Sequence, residues 1–383
     1  MRKRKIAVVT TSRADAGHLH WIVQDLAKHP NVDLKLIAMG AHLSPEFGRT
    51  GETLGTTVQP CAAIECLLSS DTDVGMAKTI GLATLGLADY LGSTRPDLIL
   101  LTADRYEMLA PASVALALRI PIAHIEGGDI SEGAIDDAVR NALTKMSHLH
   151  FACTRRSRER IIAMGEEPWR VHFTGSPSLD QLQRGRLLTK VQVERQLKLS
   201  LKSPTLAVVY HPVTLLEDTT KEANALFSAL AQVNAQLVFV YPNADAGSRR
   251  LVDMAQKFIA ARGNARLFVN LDHITYLSLL KHTAALVGNS SSGIMESTSL
   301  GLPVVNIGIR QKGRDHAANV VDVPAEPTAI RDGIRLTTSK QFRRAIRGLE
   351  NPYGDGHAAE RIVKLLATVP LETRLLFKRS RID

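Results

Sequence analysis

The sequence has 383 residues, 45% of them hydrophobic and 22% charged, and it carries a formal net charge of +9. These values exclude a disordered chain, and the lack of any apolar run of bilayer length excludes a helical membrane span; more than one folded domain is expected. The positive charge admits nucleic acid, but much of it sits in Arg2 to Lys5 and in Lys378, Arg379 and Arg381, which read as solvated tails. No basic stretch carries interleaved aromatic residues for base stacking, so no nucleic-acid partner is expected.

The basic start leads into Ile6-Ala7-Val8-Val9, which is too short for a signal-peptide core. Cys61, Cys66 and Cys153 form neither a disulfide framework nor a zinc-ligand spacing. Both features point to the cytoplasm. Strands are predicted over 6–11, 34–38, 98–101, 120–124 and 149–153. Helices are predicted through Leu19, Ile22, Val23 and Leu26, then over 76–90, 108–118 and 136–146. The pattern weakens over 178–203. It restarts with strands over 205–209, 237–241, 266–269, 285–288 and 304–307. The helices between them are expected over 221–232, 248–261, 274–282 and 293–300, with a closing helix over 358–366. Apolar strands alternating with helices indicate two doubly wound parallel sheets, with domains expected at 1–180 and 181–360 and a closing helix and basic tail at 361–383.

Ligands of such sheets bind beyond the carboxyl ends of the strands. Polar residues collect there. Ser290-Ser291-Ser292-Gly293 before a helix reads either as a phosphate cradle or as simple N-capping; the basic turn Arg310 to Arg314 favours anion binding. Asp104 and Glu126 each end a strand. They can divide acid and base work, or serve structure, Asp104 by pairing with Arg105 for example. Asp136 and Asp137 open a helix, where aspartate offsets the dipole and Asp136 can meet Arg140. His211 reads either as a buried, hydrogen-bonded histidine or as a donor to a phosphate or leaving group; its place at a strand's carboxyl end favours the donor.

Several motifs run in order along the chain. They are Ser12-Arg13-Ala14-Asp15, Gly40-Ala41-His42-Leu43-Ser44, Asp104-Arg105-Tyr106-Glu107 and His124-Ile125-Glu126-Gly127-Gly128-Asp129. Ala134-Ile135-Asp136-Asp137, Leu143-Thr144-Lys145, His211-Pro212-Val213-Thr214, Gly288 to Gly293 with Glu296, and Arg310 to Arg314 follow. In this ordered set the chain resembles the UDP-N-acetylglucosamine 2-epimerases, in particular the hydrolysing branch of the nonulosonate pathways. The resemblance implies a GT-B fold, two Rossmann-like domains facing a central cleft, with no metal or redox cofactor and a homodimeric or homotetrameric assembly. It implies that Ser290, Ser291, Glu296 and Arg310 hold a nucleotide diphosphate with His211 and Asn243 nearby. Arg13, His42 and Arg105 would complete the pocket, and Asp104, Glu126, Asp129, Asp136 and Asp137 would surround the sugar.

The implied reaction releases UDP and the free C2-inverted sugar through a glycal. Gly17, Ala103, Asp129, Ser131-Glu132-Gly133 and Asn141 depart from the family pattern. Those departures leave two sugars open, N-acetylglucosamine and a 4-acetamido-6-deoxy analogue. A non-hydrolysing epimerase, a GT-B glycosyltransferase and a non-catalytic nucleotide-sugar binder are the alternatives.

Overall fold

The computed structural model describes residues 2–45, 58–68, 70, 72–132, 134–213, 216, 218, 220–240, 247–268 and 271–379. Gly133, Thr214 and Asn243 lie outside the described residues. The chain divides into two units: one takes Met1–Asp129, Asp136–Arg184 and Tyr353–Asp383, the other Ile130–Ile135 and Gly185–Pro352.

The first unit is built on strands β1 (Arg4–Thr10), β2 (Val32–Met39), β3 (Ala62–Ile64), β4 (Leu98–Thr102), β5 (Ile122–Ile125), β6 (Leu149–Ala152) and β7 (Val171–Phe173). They form one parallel sheet in the order β3-β2-β1-β4-β5-β6-β7. Helices α1 (Arg13–Lys28), α2 (Asp73–Thr94), α3 (Leu109–Ala117), α4 (Asp136–Met146) and α5 (Arg155–Ala163) lie between the strands in sequence. Ile6, Val8, Val9 and Leu98 to Leu101 are fully buried, which is why these strands read as unbroken apolar runs. Each such side chain contributes about 1.5–3 kcal/mol by leaving water. Helix α1 starts where Ser12 accepts from the Asp15 N–H, and α5 where Thr154 accepts from the Ser157 N–H.

The closing helix Ala358–Thr368 belongs to this first unit and packs against α1. Asp180 caps it from a distance, accepting from the Ala358 and Ala359 N–H groups at 3.0 and 3.0 Å. Arg2, Lys3 and Arg379 are exposed, as solvated ends would be, but Arg4, Lys5 and Lys378 are anchored. Arg4 donates to the Leu366 carbonyl at 2.6 Å, and Lys5 Nζ to the Thr94 carbonyl at 2.5 Å. Lys378 reaches Glu166 at 2.8 Å and also donates to the Lys145 and Ser147 carbonyls. Helix C-terminal carbonyls and a buried carboxylate need donors, and these cations supply them.

The second unit has six parallel strands: β8 (Thr205–Val209), β9 (Gln236–Val240), β10 (Ala265–Phe268), β11 (Ala285–Gly288), β12 (Val304–Ile307) and β13 (Val320–Val323), in the order β10-β9-β8-β11-β12-β13. The strand order therefore reverses between β1 and β4 in one unit and between β8 and β11 in the other. Both are Rossmann-like doubly wound sheets, the two building blocks of the GT-B architecture. The segment over 178–203, where the pattern weakens, holds a helix, Lys190–Leu197, which opens on a Thr189–Gln192 capping box. The helix expected over 293–300 is a single turn, Ser292–Met295. There the Ser297 hydroxyl bonds the Gly293 carbonyl and its N–H returns to Ser292, which ends the regular ladder. No helix among the described residues is long and apolar enough to cross a membrane.

Candidate active site

In the first unit the strand ends carry a buried polar layer. After β1, Asp15 accepts from the Thr11 N–H at 3.0 Å and the Thr11 hydroxyl at 2.5 Å. His42, following β2, sets its Nε2 2.9 Å from the Thr10 hydroxyl. Burial, helped by the Arg13 charge, holds its imidazole down to about 4, so the ring is neutral at neutral pH. Arg105 turns its guanidinium to Glu107 in a two-pronged pair at 3.0 and 3.2 Å. Burial raises both Glu107 and Asp15, and Arg105 is the main charge opposing each rise. Arg105 is therefore a strut between two buried carboxyls.

Asp104 meets Arg140, 36 residues away on α4. Arg140 is fully buried and reaches the Asp104 carboxylate, the Asp137 carboxylate at 3.2 Å and the Asp129 carbonyl at 2.9 Å. Asn141 adds a bond to Asp137 at 3.3 Å. The Asp129 carboxylate accepts from the Tyr353 hydroxyl at 3.0 Å. Asp136 opens α4 immediately before Asp137. One arginine thus gathers Asp104, Asp129 and Asp137, from the loop after β4, the loop after β5 and the first turn of α4. Local sequence gave no sign of this, because Arg140 reads there only as an i,i+4 neighbour of Asp136.

Glu126 is 5% exposed and stands 2.9 Å from His18 Nδ1, a residue of α1 that the sequence reading passed over. Its φ is +71°, and that of Ala103, before Asp104, is +59°. Such left-handed backbone in non-glycine residues concentrates at functional sites. It also explains why a glycine suits position 103. The Ala103 carbonyl receives His124 Nε2 at 2.8 Å, and burial holds His124 down to about 4. The neutral ring therefore carries its proton on Nε2 and braces the turn that presents Asp104.

In the second unit Asn289 clamps the switch point. It accepts from the His211 N–H at 2.7 Å and donates to the His211 carbonyl at 2.9 Å. Gly288, at φ +150°, lets the chain pass: a Cβ there would stand 1.9 Å from the Val209 carbonyl oxygen. The Asn289 carbonyl accepts from Arg310 at 3.2 Å and Gln311 at 2.9 Å, which ties the basic turn to the serine turn. Ser290 Oγ lies 3.3 Å from both the hydroxyl and the N–H of Ser292, and Ser291 stands between them. Arg310 Nε is buried without a hydrogen-bond partner among the described residues. The buried hydroxyl of Tyr276, also missed in sequence, lies against Ser290 and Ser292 with no aligned hydrogen bond. Glu296 is buried beside Tyr276. The turn and its donors suit an anion, although the helix behind it is too short for a large dipole.

The family model for UDP-N-acetylglucosamine 2-epimerase matches residues 24–367. The chain is 36% identical over 379 residues, 98% of each chain, to the GDP/UDP-N,N'-diacetylbacillosamine 2-epimerase (hydrolyzing) of Campylobacter jejuni. It is 34% identical, again over 98% of each chain, to the UDP-N,N'-diacetylbacillosamine 2-epimerase (hydrolyzing) of Legionella pneumophila. Among solved structures it shares its fold with UDP-GlcNAc 2-epimerase from Neisseria meningitidis bound to UDP-GlcNAc, at TM-score 0.80, 19% identity and coverage of 94% and 99%. The buried acids after β4 and β5, the serine turn after β11 and a match across nearly the whole length together place this chain in the UDP-N-acetylglucosamine 2-epimerase family.

Proposed function

We propose that the protein is a hydrolysing nucleotide-sugar 2-epimerase, with UDP-N,N'-diacetylbacillosamine, a 4-acetamido-6-deoxy sugar, favoured over UDP-N-acetylglucosamine. The observation that carries the chemistry is the set of carboxylates held by Arg140. Several acids near an anionic substrate repel it unless a cation compensates them, and here a fully buried arginine does so. The choice of sugar rests on the two diacetylbacillosamine epimerases, similar over 98% of their length.

The C2 proton of the sugar is not acidic until the C1–O bond to diphosphate begins to break. Ser290, Ser291, Arg310 and His211 stabilise the departing diphosphate. Arg13 and His42 supply further contacts. A carboxylate from the group Asp104, Glu126, Asp129, Asp136 and Asp137 takes the C2 proton, giving a C1=C2 glycal and UDP. A proton then returns to the opposite face of C2 and water adds at C1. Glu296 orients the nucleotide.

The test is a UDP-release assay on both sugars with Asp104→Asn and Glu126→Gln. Loss of turnover by at least about a hundredfold with UDP affinity kept is expected for each. Full activity in both variants would refute the assignment.

A further inference from the structure

The turn Glu126-Gly127-Gly128-Asp129, which follows β5, is fixed along its length. Glu126 takes up its left-handed backbone with its N–H on the Phe151 carbonyl at 3.1 Å. Gly128 presses on α5, where a Cβ would stand 2.3 Å from the Ser157 carbonyl oxygen, and its own carbonyl accepts from Arg160 at 3.2 Å. Asp129 closes the turn and is buried. It is held twice: its carbonyl accepts from Arg140 at 2.9 Å, and its carboxylate accepts from the Tyr353 hydroxyl at 3.0 Å. Immediately beyond it the chain leaves the first unit for Ile130–Ile135.

Tyr353 lies 224 residues further along and is the first residue after the chain re-enters this unit. Its side chain is fully buried, and the segment that carries it has little freedom. The Tyr353 carbonyl accepts from the Ser176 N–H at 2.7 Å. Gly175 packs under that same carbonyl at φ +83°, where a Cβ would stand 3.0 Å from its oxygen. Asp355 pairs with Arg361 through both carboxylate oxygens at 2.8 and 2.7 Å, and Arg361 also donates to the Thr174 carbonyl at 3.0 Å. The phenol is therefore a rigid post. An ionised carboxylate only accepts, so the hydroxyl donates, and a bond to a charged acceptor is among the stronger kinds.

We propose that Tyr353 is a positioning residue: its hydroxyl pins Asp129, so that Asp129 anchors the turn presenting Glu126 and does not itself carry the C2 proton. A proton carrier has to follow the reacting carbon, whereas Asp129 is held at its backbone and at its side chain. Losing the hydroxyl frees the end of the turn three residues from Glu126, and small displacements of an acid cost turnover steeply. The inference rests on the proposed reaction and narrows its group of acids to Asp104, Glu126, Asp136 and Asp137.

Hydrogen–deuterium exchange of the full chain, beside UDP release from UDP-N,N'-diacetylbacillosamine, tests it on Tyr353→Phe, Asp129→Asn and Asp129→Ala. Tyr353→Phe keeps the ring in its slot and removes one oxygen. Its Gly127, Gly128 and Asp129 amides should exchange at least about fivefold faster than in the wild type, with the amides of α1 unchanged. Its kcat should fall at least about tenfold with KM within about twofold, because the acids shift while the groups that grip the nucleotide do not. Asp129→Asn keeps an acceptor for Tyr353 and should turn over at least about tenfold faster than Asp129→Ala. Unchanged exchange or unchanged kcat in Tyr353→Phe, or Asp129→Asn as slow as Asp129→Ala, would overturn the proposal. Exchange is read without substrate, so a wild type that releases no UDP counts against the reaction, and an unaltered exchange pattern counts against the role of Tyr353.

Discussion

Replacing Arg140 by methionine probes the first unit at its most loaded point. The substitution keeps the volume and removes the charge that serves Asp104, Asp137 and the Asp129 carbonyl. Breaking a buried ion pair from one side typically costs about 3–5 kcal/mol. Here the Asp104 and Asp137 side chains keep 22% and 30% exposure, so water recovers part of that cost and about 2–3 kcal/mol is expected. In a unit of this size that lowers the melting temperature by about 5–10 °C. Turnover should suffer more than stability, because a carboxylate displaced by about 1 Å costs roughly a hundredfold. Arg140→Lys keeps the charge but not the fork and should fall between the two. Differential scanning fluorimetry beside a UDP-release assay reads both effects. A melting shift under about 1 °C with turnover within about twofold of wild type would refute the hub as described.

Three further outcomes follow from other parts of the molecule. His42, His124 and His148 are each held near 4, chiefly by burial. The folded state takes up these protons less readily than the unfolded chain. Stability is therefore complete above about pH 6.5 and falls toward pH 4, by up to about 3 kcal/mol per ring; urea midpoints independent of pH across that window would contradict this. Gly288→Ala forces a Cβ against the Val209 carbonyl and should cost about 3 kcal/mol or more, seen as insoluble protein or loss of UDP binding by calorimetry. Ala103→Gly relieves a left-handed residue of about 1–2 kcal/mol while adding about 0.5–1 kcal/mol of chain entropy, so a net gain of about 0.5–1 kcal/mol is expected in thermal unfolding.

The central strands were legible because both faces of each sheet are buried, as Val287 and Leu286 in β11 show at 0% exposure. The edge strands β3 and β13 were not, since they are short and only partly buried. The polar strand ends were also legible, because alternation and the carboxyl-end rule point to them before any coordinates exist. Their partners were not. Asp104 and Arg140 lie 36 residues apart, and Lys378 and Glu166 meet through the return of the chain to the first unit. His18 sits one turn beyond Asp15 on a helix whose apolar face dominates its reading. Ile130–Ile135 joins the second unit although it follows β5, with Glu132 paired to Lys312 at 3.0 Å. Its membership depends on tertiary contacts that no local pattern announces.

Proton exchange at the sugar's C2 carbon is the heart of the proposed reaction. Incubation of the wild-type protein with UDP-N,N'-diacetylbacillosamine in deuterated water, followed by NMR of the products, reads it directly. The expected result is UDP together with a free sugar inverted at C2 and carrying one deuterium there. A released sugar that keeps hydrogen and its original configuration at C2, or a sugar still bound to UDP after inversion, would contradict the account.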